Sequence, residues 1–327
     1  MGPKVSVILC GYNQAAYLDD AVASVLSQTH RDLELIIVDN GSTDGSQELL
    51  KKYAAEPRVR LLLHPANAPV TKRLNEAIAL SSGEYISLLY ADDYYLPNKL
   101  ERQLGEFSRL PADYGVVYSP SFRVDVATGA RWIDPTLRRS GAVLKDMFLR
   151  GHSEGFINPI SPMMRRECFV RYPFHEDVFV EGETIFLRFA MTFKFHFVDE
   201  PLTVMREHTS NIGKAIKANI AIALLLFDRL LAEPEFPREL LADANTYYVN
   251  LMGICGWLGI RMAADPVWAR QCLIAAIRRQ PAQLGRPRIL AGLALSLLPV
   301  GAIRLLNRAL DAMRPHNETV AFRADYT

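Results

Sequence analysis

The sequence predicts an α/β fold built on a mostly parallel sheet, followed by an all-α segment. Three observations carry this expectation. Short apolar runs alternate with helical stretches of roughly ten to fifteen residues, the pattern of βαβ units. Those runs end in aromatic or acidic residues: Tyr12, Asp39 and the pair Asp92-Asp93. From about residue 214 the strand pattern stops and helical composition takes over.

The elements follow in order. Val5 to Cys10 is the first apolar run, and Gly11-Tyr12-Asn13 leaves it as a loop. Leu18, Val22, Val25 and Leu26 recur at helical spacing, so a helix is expected over about 15–28. Leu33 to Val38 reads as a strand ending at Asp39, and the turn-rich loop Asn40 to Ser46 leads into a helix over about 45–55. Val59 to Leu63, Lys72 to Leu80 and Tyr85 to Tyr90 then read as strand, helix and strand. Crossover handedness puts the carboxyl ends of parallel strands on one edge. Tyr12, Asp39, Asp92 and Asp93 are therefore expected to converge where open α/β sheets hold their ligands. Each also has an ordinary reading, as a surface aromatic, a loop cap or an acidic turn before a helix. Together they point to a nucleotide site with a divalent cation.

Composition narrows the classes. Of 327 residues half are hydrophobic and 22% charged, enough apolar material for a sizeable core. The formal net charge of +1 argues against a nucleic-acid binder. Cys10, Cys168, Cys255 and Cys272 form no CxxC pair, which suggests neither zinc nor a disulfide framework and fits a reducing compartment. No basic-then-apolar leader precedes the first strand, so a cytoplasmic protein is expected. The junction Cys10-Gly11-Tyr12-Asn13-Gln14-Ala15 has one glycine and lacks the dinucleotide-binding fingerprint.

Farther along, Val116 to Val124 reads as one strand, 125–130 as a turn, 130–133 as a strand, and Phe193 to Val198 as another. A domain boundary is expected at 213/214, with helices over about 238–262 and 266–279. The run Ile289 to Ile303 contains Pro299 and is flanked by Arg286, Arg288, Arg304 and Arg308. It is too short to span a bilayer. It reads either as a buried helix or homo-oligomer contact, or as a segment lying in the membrane interface on anionic lipid. The tail over 315–327 is polar and is expected to be mobile.

Four ordered motifs carry a family resemblance. Val5-Ser6-Val7-Ile8-Leu9-Cys10-Gly11-Tyr12-Asn13, Leu35-Ile36-Ile37-Val38-Asp39-Asn40-Gly41-Ser42-Thr43-Asp44, Ser82-Gly83-Glu84-Tyr85-Ile86 and Ala91-Asp92-Asp93 resemble family 2 glycosyltransferases with the GT-A fold, of the bacterial cell-surface polysaccharide type. The resemblance covers about residues 3–212. It implies transfer of a sugar, with inversion, from a nucleotide sugar (a UDP-linked one) to a hydroxyl of a glycan or lipid-linked acceptor. It puts Tyr12 against the base with Asn13 beside it, Asp39 on a hydrogen bond to the base, and Arg73 near the nucleotide. Cys10 stands where the family usually has proline, and Lys72-Arg73-Leu74-Asn75 departs from the family's run. Asp92 matches a carboxylate on the ribose or metal, and Asp93 the metal ligand. Tyr90 replaces a frequent extra aspartate. Pro159 to Glu167 resembles the segment lining the acceptor cleft. Within Val204 to Asn211, His208 would complete the metal site or touch the diphosphate, supported by Arg206. Mg²⁺ or Mn²⁺ suits such oxygen donors.

An inverting transfer needs a base for the acceptor hydroxyl. The family's Glu-Asp pair is broken here, in Glu181-Gly182-Glu183-Thr184-Ile185-Phe186-Leu187-Arg188. An alignment anchored on Arg188 puts Gly182 on the base. One anchored on Thr184-Ile185-Phe186 puts Glu183 there and is preferred because it keeps a carboxylate, with Glu181 as backup. Both glutamates would also suit a helix N-terminus for charge alone. His64 and His175 read as structural or surface residues. The broken pair leaves a second class open, a non-catalytic sugar-nucleotide or glycan-binding module.

Overall fold

The computed structural model describes residues 4–209, 211, 215–261 and 265–312. The expected tail therefore lies outside the described residues. The chain divides into two compact units, one of residues 1–144 and 156–236, the other of 145–155 and 237–327.

The first unit begins with β1 (Val5–Gly11), α1 (Ala15–Leu26), β2 (Leu33–Asp39), α2 (Ser46–Leu50), β3 (Val59–Leu63), α3 (Val70–Leu80) and β4 (Tyr85–Tyr90). These are the expected elements, with helix ends shifted by a few residues. It continues with β5 (Tyr94–Tyr95), α4 (Lys99–Phe107), β6 (Tyr114–Tyr118), β7 (Ser121–Asp125) and β8 (Arg131–Ile133). After α5 (Leu144–Glu154) come β9 (Met163–Arg165), α6 (Arg166–Arg171), α7 (Thr184–Phe189), β10 (Lys194–Phe197), β11 (Thr203–Glu207) and α8 (Ile216–Ala232).

A seven-stranded sheet runs β10-β6-β9-β4-β1-β2-β3. Only β9 is antiparallel to its neighbours. β1, β2 and β4 are almost wholly buried, as apolar parallel strands covered on both faces must be. α1 packs Leu18, Val22 and Val25 into the same core as Leu35, Ile37 and Leu89. A second sheet, β5-β11-β7-β8, has no counterpart in the sequence reading. The single strand expected over Val116 to Val124 is two strands in different sheets. They part at Ser119-Pro120, where proline has no N–H to continue a ladder.

The domain boundary also moves. α8, assigned from sequence to the helical segment, belongs to the first unit. Its Leu226, Phe227 and Leu230 are buried there, and Arg229 pairs with Asp177. The second unit instead recruits residues 145–155, which hold all of α5 but its first residue, and His152 there stacks on Tyr247. Its other helices are α9 (Leu241–Arg261), α10 (Pro266–Arg279), α11 (Pro287–Leu295) and α12 (Val300–Ala312). α9 and α10 approach closely because Gly256 has no side chain. A Cβ there would fall 2.5 Å from Leu273.

Lys99 is fully buried under β4. Its Nζ donates to Ser87 Oγ at 2.7 Å and Gln103 Oε1 at 2.9 Å and lies 4.3 Å from the Tyr95 ring centre. No carboxylate pairs with it among the described residues, and burial holds its amine well below the ordinary 10.5. The unfolded chain then binds a proton that the folded chain sheds, so stability rises with pH from the lowered folded value up to 10.5. Lys99→Met should flatten this rise in a series of urea midpoints at increasing pH. An unchanged slope in the variant would refute it.

Candidate active site

The register of the central strands builds the site. Gly11 lies opposite Asp39, and Cys10 opposite Tyr90, so the loops after β1, β2 and β4 leave side by side. The expected convergence is therefore observed.

The first two loops are stitched together. Asn13 adopts φ +54°, a left-handed conformation that asparagine tolerates. Its N–H donates to Ser42 Oγ, and its Oδ1 accepts from the Thr43 N–H, both at 2.8 Å. Asp44 accepts from the Ala15 N–H at the start of α1 and from Ser46 at the start of α2. Asp39 is buried, and its Oδ1 accepts from the N–H groups of Gly41 and Ser42 and from Gln47 Nε2. Asp39 Oδ2 has no protein donor among the described residues. Gly41 has φ +83°, and a Cβ would fall 2.3 Å from the Ala66 backbone, so only glycine fits. Tyr12 stands beside this loop, 41% exposed. Arg73 is less available than the sequence suggests. Its guanidinium donates to Asn40 Oδ1 at 2.9 Å and Ala66 O at 3.2 Å, fastening the loop before α3. Burial and the Asp39 charge push the Cys10 thiol up to about 12, so it is no nucleophile.

The carboxylate pair follows β4. Asp93 is buried, and its Oδ1 accepts the Arg206 N–H at 2.8 Å. Burial, then the Asp92 charge, raise its carboxyl well above the usual range. Asp92 Oδ2 meets His208 Nε2 at 3.1 Å, and that imidazole stacks on Tyr17 with ring centres 5.2 Å apart. The sequence couples His208 with Asp93; the structure seats it on Asp92 instead. The reason is the path of β11, whose Arg206 amide occupies Asp93 while His208 lies two residues farther along. Arg206 also donates to the Asp92 carbonyl and to Asp20, and lies over Tyr94.

The two glutamates separate clearly. Glu181 is buried, with Arg188 on one carboxylate oxygen and the His175 N–H on the other. It is a structural anchor, and the backup base role has no free oxygen to rest on. Glu183 precedes α7; the residue as a whole is exposed, while protein atoms crowd its carboxyl. Burial of its carboxyl and the Asp134 charge push it up to about 7, against the opposing charge of Arg123. Arg123 spans Asp134, at 2.7 Å, and Glu207. Neither Arg123 nor Asp134 belongs to the site expected from sequence. A charged residue inside the strand Ser121–Asp125 was the available signal.

The donor chemistry of this edge suits a hard cation. Asp92 and Asp93 each keep one oxygen without a donor among the described residues, and their crowded charges favour a counter-ion. No three His, Cys, Asp or Glu side chains converge on one point among the described residues.

The profile of Glycosyl transferase family 2 matches residues 6–172. Protein CgeD of Bacillus subtilis is 37% identical over 151 residues, 44% of this chain and 35% of that protein. A putative teichuronic acid biosynthesis glycosyltransferase, TuaG, of the same species is 39% identical over 103 residues, 31% of this chain and 41% of that protein. The chain thus spans well under half the length of these relatives. Staphylococcus aureus TarS 1–349 in complex with UDP-GlcNAc has the same fold, with TM-score 0.64 at 15% identity over 96% of this chain and 93% of that one. The mannosyltransferase PcManGT of Pyrobaculum calidifontis, in complex with GDP-Man and Mn²⁺, gives 0.60 at 16% identity over 100% and 85%.

Asp39 carries a structural load that needs no ligand. Asp39→Ala strands the Gly41 and Ser42 N–H groups and leaves Gln47 Nε2 only its bond to His64 O, and should cost about 3 kcal/mol in urea unfolding of the ligand-free protein. Wild-type stability in that variant would show that the loop does not depend on it.

Proposed function

Because this chain belongs to glycosyl transferase family 2, we propose that it moves a sugar, with inversion, from a UDP-linked donor to a hydroxyl of a glycan or lipid-linked acceptor in cell-surface polysaccharide assembly. One observation carries the reading: the free Asp39 oxygen and the Asp92-Asp93 pair stand at one edge of the sheet, and the raised Glu183 carboxyl belongs to the same compact unit. The complexes of TarS with UDP-GlcNAc and of PcManGT with GDP-Man and Mn²⁺ support a nucleotide-sugar donor and a divalent metal.

In this reading Tyr12 covers one face of the base, and Asp39 Oδ2 accepts its imide N–H. Asn13 keeps both loops in place and leaves Tyr12 free to stack. Asp93 and Asp92, with His208 released from its hydrogen bond, would hold Mg²⁺ or Mn²⁺. Held by these residues, such a cation would offset negative charge on the departing diphosphate. Arg206 keeps Asp93 oriented through its backbone N–H. Glu183 takes the proton of the acceptor hydroxyl, and a value near 7 lets it do so close to neutral pH.

Glu183→Gln should lower turnover about a hundred- to ten-thousand-fold while leaving donor binding intact. Full turnover in that variant would remove Glu183 from the mechanism. Donor binding without turnover in the wild type, across a panel of acceptors, would favour the non-catalytic module. Activity should climb as pH rises through about 7, since the base acts deprotonated. Arg123→Ala removes an opposing positive charge and should move that limb to higher pH. A limb that stays put in Arg123→Ala would separate Arg123 from the base. Asp93→Ala should abolish metal-stimulated donor turnover, and retained stimulation would refute its ligand role.

A further inference from the structure

The second compact unit carries a one-sided charge distribution. Between Asp265 and Asp311 the sequence has seven arginines and no acidic residue. The same stretch concentrates exposed apolar surface. Of the twenty large apolar side chains exposed among the described residues, eight lie between Leu284 and Leu310. Large exposed apolar surfaces mark interaction sites when side chains of this kind adjoin.

The helices set the orientation of this surface. α12 is held by Ile303 and Asn307, which are both buried; Asn307 Nδ2 donates to Ile260 O, and Arg261 donates to Asn307 Oδ1. Helical spacing then turns Ala302, Leu305 and Ala309 outward, with Leu305 67% exposed. Arg304 and Arg308, one turn apart, are exposed along the flank of that apolar arc. At the corner between α11 and α12, Leu297 is 72% exposed and Leu298 is exposed beside it. Among the described residues no helix is long and apolar enough to cross a membrane. A pair this short would meet a bilayer by lying in the plane of its interface rather than by crossing it.

We propose that the α11–α12 face docks on an anionic bilayer surface, with its leucines among the acyl chains and its arginines on the headgroup phosphates. A second copy of the chain is a poorer occupant. A two-fold contact sets a patch against itself, so arginine would face arginine, with Asp311 the one carboxylate on α11 and α12 to relieve it. An anionic lipid surface supplies both the apolar depth and the negative charge.

Sedimentation of the full chain with vesicles tests this. Phosphatidylcholine vesicles containing phosphatidylglycerol should bind it at least about tenfold better than phosphatidylcholine alone, and added salt should erode the difference. Leu297→Glu with Leu305→Glu should weaken binding about tenfold or more at an unchanged melting temperature, because both side chains are exposed. Arg304→Ala with Arg308→Ala should reduce the preference for anionic vesicles. Three results would overturn the proposal. One is equal binding to both vesicle types. Another is a dimer that the leucine variants dissociate, with no vesicle binding. The third is vesicle binding that appears only once residues 313–327 are removed.

Discussion

Strand β1 is hydrogen-bonded along both edges, to β2 and to β4, and that one register decides where the candidate site stands. The run is apolar on both faces, so a slip would exchange one buried aliphatic side chain for another at little cost. A polar peg removes this freedom. Ser6, fully buried, donates to Glu34 Oε1 at 2.6 Å and accepts the Gly83 N–H at 2.8 Å. The far ends are pinned as well, by Asn40 N–H on Gly11 O, Ala91 N–H on Cys10 O and His64 N–H on Asp39 O. A slipped register would leave these buried groups unpaired, each at a cost of about 1–3 kcal/mol.

Once the strands are set, charge shapes the edge. Asp92, Asp93, Asp134, Glu183 and Glu207 gather around two guanidiniums, those of Arg123 and Arg206. The carboxylates outnumber the cations, so the edge has an unmet demand for positive charge or protons. Asp93 and Glu183 register that demand as raised carboxyl groups. A cation beside the first and an acceptor proton on the second are the two ways of meeting it. Glu181 shows the opposite outcome. Paired with Arg188 and His175, it is spent on holding the loop before α7.

The second unit depends on close packing rather than on charge. Gly256 brings α9 against Leu273 of α10, and Ile260, Ala269 and Ile303 close a small core with Leu295 against it. Few residues of α11 and α12 are needed for that core, and their other faces are left to solvent. The apolar run Ile289 to Ile303 is therefore neither one buried helix nor a span. Pro299 lies between two short helices, each half-buried.

The elements from β1 to β4 were legible because their periods are unambiguous: apolar runs bounded by turn residues, and helices with one apolar stripe. Strands β5, β9 and β11 were not, since two to five residues carry too little period, and long-range partners decide their pairing. Membership of α8 in the first unit was hidden for the same reason; composition shows that a helix is apolar, not what it packs against. Tyr12, Asp39, Asp92 and Asp93 could be placed on one edge from sequence because strand direction and crossover handedness fix that edge. The roles of Arg73, Glu181 and His208 could not, because a hydrogen bond depends on which group folding brings within about 3 Å. The parallel sheet and the strand ends on its ligand edge follow from local periodicity and handedness. Which carboxylates are paired and which keep a free oxygen follows from folding, since pairing is a property of distance between residues far apart in the chain.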